Sequence, residues 1–167
     1  MRTVSYSRPC FIGCLGLLVW VAIAKNPTPD ARPDFSGRWL LDIEHSRVNP
    51  AISKGLTKGE VRIYHKDPSF SFWREFTKAG LSEVVEYTLN SGGEEIKGTE
   101  GGMPTISSLS WSGDELIYLT IYQTSRGEAR NIVKYSLHDR GKTLRAEEVF
   151  RGPRISYENV WIFSKAP

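Results

Sequence analysis

Beyond position 14 the chain has no cysteine; its two cysteines are Cys10 and Cys14. Disulfides and thiol chemistry are therefore excluded from everything downstream, and that part must be held by packing. Histidine is also scarce. His45, His65 and His138 stand far apart, none at the spacing of a zinc site, so no metal is expected. His65 and His138 read as solvated residues at a strand end and beside a turn. No Gly-x-Ser-x-Gly nucleophile motif occurs. Gly98–Gly102 is rich in glycine but does not end in Lys-Ser/Thr, so it does not read as a phosphate loop and no cofactor is expected. The sequence has no block of lysine and arginine to draw it to a membrane surface or to nucleic acid.

Long apolar runs are missing too, with one exception. Phe11–Ala24 is apolar or small throughout, follows Arg2 and Arg8, and ends in Ala22-Ile23-Ala24. Its 14 residues fall short of the roughly 20 that span a bilayer, so residues 1–24 are expected to be a cleaved signal helix rather than an anchor. Lipidation is not expected, because both cysteines precede the apolar stretch. The implied location is periplasmic or secreted, with no stable membrane insertion after cleavage. Removing residues 1–24 removes two arginines and no acid, leaving 20 basic against 19 acidic residues. That near-neutral balance removes the electrostatic basis for nucleic-acid binding.

What remains is 143 residues, enough to bury one sizeable core. Pro27, Pro29 and Pro33 mark residues 25–33 as an extended tail. Residues 34–165 read as one domain of short strands broken by turn residues. The expected strands are Gly37–Glu44, Val61–Lys66, Ser69–Thr77, Leu81–Leu89, Glu95–Lys97, Thr105–Trp111, Glu115–Thr124, Ala129–Leu137, Thr143–Arg151 and Arg154–Phe163. Asn90–Gly93 and Asp139–Lys142 read as hairpin turns, and Gly98–Pro104 as an irregular connection. The one long connection, His45–Gly59, has room for a short helix around Ala51–Leu56. Hairpin-length connections favour a meander, and closing a meander removes its exposed edges. The expected fold is all-β: a single up-and-down antiparallel barrel of about 8–10 strands.

Phe35-Ser-Gly-Arg-Trp-Leu-Leu41 opens the domain. This Gly-x-Trp at the first strand resembles the signature of the lipocalin and fatty-acid-binding superfamily, and Pro33–Trp39 resembles the start of small secreted bacterial lipocalin-like proteins. The turns Trp111–Leu116 and Asp139–Leu144 are similar to theirs. The resemblance spans about Asp34 to Phe163. It implies that Gly37 and Trp39 close one end of the barrel, with Arg154 or Arg151 packed across the indole. It also implies a pocket for a small hydrophobic or amphipathic ligand.

The residues themselves give two readings of the interior. In Leu116–Tyr122 both faces are apolar: Leu116, Tyr118 and Tyr122 on one, Ile117, Leu119 and Ile121 on the other. A strand with one solvated face would show a polar set. These residues either fill a core or line a pocket. Alternation points Arg74, Tyr118, Arg145 and Tyr157 inward as candidate ligand contacts. Glu94-Glu95 and Glu147-Glu148 are neighbours in a strand and so point to opposite faces, which rules out a close acid–base dyad. One of the second pair faces inward and needs a partner such as Arg145, Arg151 or Arg74. The functional expectation is an exported binding protein. The alternatives are a structural or interaction barrel with a filled core, and a barrel enzyme such as an isomerase or hydrolase.

Overall fold

The computed structural model describes residues 32–167; the expected signal segment, 1–24, and most of the 25–33 tail lie outside the described residues. Ten strands follow one another: β1 Gly37–Leu41, β2 Leu56–Lys66, β3 Ser69–Lys78, β4 Leu81–Asn90, β5 Ile96–Glu100, β6 Met103–Ser112, β7 Glu115–Thr124, β8 Gly127–His138, β9 Thr143–Arg151 and β10 Ser156–Lys165. All ten belong to one antiparallel sheet in the order β4-β3-β2-β1-β10-β9-β8-β7-β6-β5. Five of the hairpin turns are two residues long, which keeps chain neighbours paired in space. The pairing of β1 with β10 carries the sheet round into a barrel. The all-β antiparallel barrel of ten strands is that expected from the sequence, but its closure is incomplete.

One feature of that expectation fails. Asn90–Gly93 does not turn β4 back onto β5. Gly92 instead bridges Ser110 of β6, and the Gly93 amide donates to the Leu109 carbonyl at 2.8 Å. The chain thus crosses to β6 before β5 begins, and β4 and β5 become the two free edges of the sheet. The barrel is nearly closed, with a seam between them. Gly98–Pro104 is likewise not irregular, because it forms the tight hairpin between β5 and β6.

The long connection carries only one helical turn, α1, Pro50–Ser53. It lies a little before the expected Ala51–Leu56. Pro50 presets the first helical φ, and the Asn49 side chain accepts from the Ala51 amide at 2.9 Å. β2 then begins at Leu56, five residues earlier than the apolar alternation suggested.

The core concentrates at one end of the barrel. Phe35, Trp39, Phe70, Leu109, Leu116 and Leu144 are fully buried there. His65 packs beside them and is buried, not solvated as its position at a strand end implied. Its ring lies 5.6–5.9 Å from those of Phe35, Phe70 and Trp111. Its Nδ1 accepts from the Phe35 amide at 3.3 Å, and Ser36 binds its backbone on both sides. Nearby, Asp67 accepts from the Ser91 hydroxyl, the Trp111 indole and Arg32. These bonds, Ser91 foremost, hold the Asp67 carboxyl below its ordinary range.

Gly37 sits at φ +150°, and a Cβ there would come within 2.9 Å of Lys165 Cε. Glycine is required for the chain to enter the barrel at this point. Lys165 is also the cation over Trp39, with its ammonium 5.1 Å from the ring. The role implied for Arg154 therefore falls to Lys165. The register explains why: Lys165 pairs directly with Trp39, whereas Arg154 lies in the β9–β10 connection at the far end of β10. Arg151 is equally distant and pairs with Glu158.

Candidate ligand-binding cavity

Strand alternation fills the barrel with side chains from every wall. Phe70, Phe72, Arg74 and Phe76 point inward from β3, and Tyr87 does so from β4. Tyr118 and Tyr122 enter from β7, Asn131, Val133 and Tyr135 from β8, and Glu148 from β9. The rings of Phe72, Tyr87 and Tyr118 form a stack, with centroids 4.8 and 4.6 Å apart and planes within 15°. Such offset stacking adds to burial. The Tyr87 and Tyr135 hydroxyls lie 3.4 Å apart. Burial raises both phenols well above their ordinary pKa, so both remain neutral donors in the neutral pH range.

Around this stack lies a cavity of about 80 Å³. Val85, Tyr87, Glu100 and Tyr118 also line a 240 Å³ pocket in the β4/β5 seam. A wider cleft of about 510 Å³ opens at the mouth between Val84, Val85, Met103, Ala129 and Phe150. Inner cavity, seam and mouth cleft are neighbours, with Val85 and Glu100 on the lining of all three.

Arg74 is the cation of the inner cavity. Its guanidinium lies 4.6 Å from the Phe76 ring and 3.7 Å from Glu83, while its Nε is buried with no hydrogen-bond partner among the described residues. On the opposite wall, the Asn131 Oδ1 is buried and likewise unpartnered. Glu148 lies on the neighbouring strand. Its Oε2 accepts from Asn159 Nδ2 at 2.7 Å and Trp161 Nε1 at 2.9 Å. The partner of the inward glutamate is thus an amide and an indole, and none of the arginines expected for it. At the seam, the Tyr122 hydroxyl donates to Glu100 at 2.9 Å.

The four candidate contacts separate. Arg74 and Tyr118 line the cavity. Tyr157 points inward nearer the mouth, stacked on Phe150 at 5.0 Å; burial, with Glu148 nearby, raises its phenol to about 12. Arg145 points outward, where it binds Glu147 at 2.7–2.9 Å, and does not line the cavity. Glu148 on its strand faces inward, so the intervening odd positions of β9 face solvent. The sequence reading did not name Tyr87, Tyr135 or Asn131. Asn131 carried a signal: it alternates with Ala129, Val133, Tyr135 and Leu137, a polar residue in an otherwise apolar inward row.

The same barrel recurs among solved structures. A Schistosoma mansoni fatty acid binding protein in complex with arachidonic acid superposes with a TM-score of 0.57, covering 80% of this chain and 96% of its own at 12% identity. The chain has the fatty-acid-binding-protein fold. A second example of the fatty-acid-binding-protein fold, human cRBP IV, matches with a TM-score of 0.55, covering 80% and 99% at 20% identity. The apo lipid binding protein 8 of Caenorhabditis elegans gives 0.56, with 79% and 95% covered at 13% identity. No protein-family model and no curated sequence matches the chain.

Proposed function

We propose that this protein is an exported carrier that holds one small hydrophobic or amphipathic molecule non-covalently inside its barrel. The observation that carries the reading is Arg74: a guanidinium whose Nε is buried against an aromatic cavity without a partner. A buried donor left unpaired costs about 1–3 kcal/mol, which a ligand acceptor would recover. The seam pocket and the mouth cleft adjoin the cavity at Val85 and Glu100, the side from which such a ligand would enter. The fold supports the reading, since solved proteins of this shape include one in complex with arachidonic acid. Export rests on the composition of residues 1–24 alone.

A filled-core interaction protein is the second reading, and the cavity size favours it. About 80 Å³ is near half of the roughly 150 Å³ cavity known to hold a benzene molecule. The outer face also carries paired apolar residues, with Ile106 beside Ile121 and Leu119 beside Ile132. A barrel enzyme would need a reactive group facing the cavity, and the Glu148 Oε2 is already engaged by Asn159 and Trp161.

Native mass spectrometry of the purified protein, before and after denaturation, tests the choice. A discrete mass lost on denaturation, and weakened retention in Arg74→Met, is the expected outcome. A bare protein that also fails to take up anilinonaphthalene sulfonate leaves the interaction reading in its place.

A further inference from the structure

The charges around Arg74 say more about the ligand than its size does. A simple carboxylate would find one guanidinium in the inner cavity, but two glutamates, Glu100 and Glu148, line the same space. Glu83 already stands 3.7 Å from that guanidinium. An anion bringing only acceptors would satisfy Arg74 at the cost of repulsion from three carboxylates. The Asn131 amide could offer such an anion an N–H only with its Oδ1 still unpaired or turned elsewhere.

The unpartnered groups are of opposite kinds and stand on opposite walls. β3 and β8 lie five places apart in the ten-strand order, so Arg74 and Asn131 line one cavity from opposing strands. The Arg74 wall donates. The other wall offers the Asn131 amide, which can accept as well as donate, and the Glu148 carboxylate on the adjacent strand, which only accepts. A small head group in about 80 Å³ reaches both. The same volume is too small for a long chain, whereas the cleft at the mouth, about 510 Å³, offers Val84, Val85, Met103, Ala129 and Phe150 to an apolar body, with Glu83 and Glu100 on its lining.

Building on the carrier reading above, we infer that the ligand carries both an acceptor and a positively charged or N–H donor in its head, as an amino-acid or amide head group does. The head sits between Arg74 and Asn131, and the apolar body runs outward along the seam between β4 and β5. A long-chain fatty acid, with acceptors only, is the poorer match. The polar walls account for the head; the mouth accounts for the tail.

The test compares three ligands of one chain length: dodecanoate, dodecylamine and 2-aminododecanoic acid, each titrated against protein loaded with anilinonaphthalene sulfonate. The zwitterion is expected to displace the probe at least tenfold more tightly than either of the others. Arg74→Met should reduce it to the level of dodecylamine, and Asn131→Leu to that of dodecanoate. The ranking in the unmodified protein decides the matter even if a variant folds poorly. Dodecanoate binding as tightly as the zwitterion would overturn the inference and leave the carrier reading standing. Dodecylamine binding as tightly as the zwitterion would likewise overturn it, by removing any role for the Arg74 acceptor. Displacement by none of the three overturns the inference; if the protein also takes up no probe and shows no ligand by mass, the carrier reading falls with it.

Discussion

The indole of Trp39 donates to the main-chain carbonyl of Phe35 at 3.1 Å, and neither residue has any exposed surface. Four positions apart, they fold the entry of the chain back over the closed end of the barrel. Gly37 between them supplies the φ of +150° that this requires. Trp39→Ala removes a fully buried ring and leaves the Phe35 carbonyl unpaired. A loss of about 3–5 kcal/mol is expected, read as a lower urea midpoint. Trp39→Phe should lose less, because only the hydrogen bond and part of the volume go.

Glu60 lies on the outer face of β2, yet its side chain is only 3% exposed because Arg38 and Arg62 fold over it. Arg38 grips both oxygens at 2.9 Å, and Arg62 adds a bond of 2.7 Å. Hydrogen bonds from these guanidiniums, Arg38 first, lower the carboxyl from 4.5 to about 2. A depressed carboxylate stabilises the fold above its unfolded pKa, and that stabilisation is lost as pH falls through the folded value. Between pH 4.5 and about 2, stability should therefore decline in the native protein and decline less in Glu60→Gln. Equal slopes in chemical denaturation at pH 5 and pH 2.5 would show that the arginines contribute nothing net through this group.

Tyr157 gives the opposite sign. Burial against Phe150 raises its phenol from 10 to about 12, so the folded state favours the neutral form. Its contribution is complete below pH 10 and disappears as pH rises through about 12. Tyr157→Phe should flatten the loss of stability over that window while leaving the midpoint at pH 7 little changed. Denaturation curves at pH 9, 10.5 and 11.5 provide the comparison.

Tyr118 ends the Phe72–Tyr87–Tyr118 stack, 4.6 Å from Tyr87, and lines both the inner cavity and the seam. Tyr118→Ala should cost about 3 kcal/mol of stability and enlarge the cavity. Fluorescence titration with anilinonaphthalene sulfonate should show tighter probe binding in the variant. Unchanged affinity would place the probe outside the barrel.

The all-β meander was legible in the sequence because strand alternation and two-residue turns are local. Each strand needs only its own residues and the next turn to pair with its neighbour. Arg74 and Tyr118 were legible for the same reason: alternation from Phe70, Phe72 and Phe76, or from Leu116, puts them on the inner face. Arg145 was misplaced because the parity of β9 is ambiguous in a row holding Arg145, Glu147 and Glu148, with charge on both faces.

The sequence by itself determined the fold class, the glycine and tryptophan at the closed end, and the absence of any cysteine crosslink beyond residue 14. Tertiary structure alone decided the rest. The seam follows from Gly92 and Gly93 bonding to β6, so that the chain passes over its next strand in sequence. Lys165 over Trp39 follows from the β1–β10 pairing, which joins the two ends of the domain. Arg74 and Asn131 line one cavity only because ten strands wrap round a common axis. Local pattern sets which face a side chain takes; the curvature and register of the whole sheet set what it meets there.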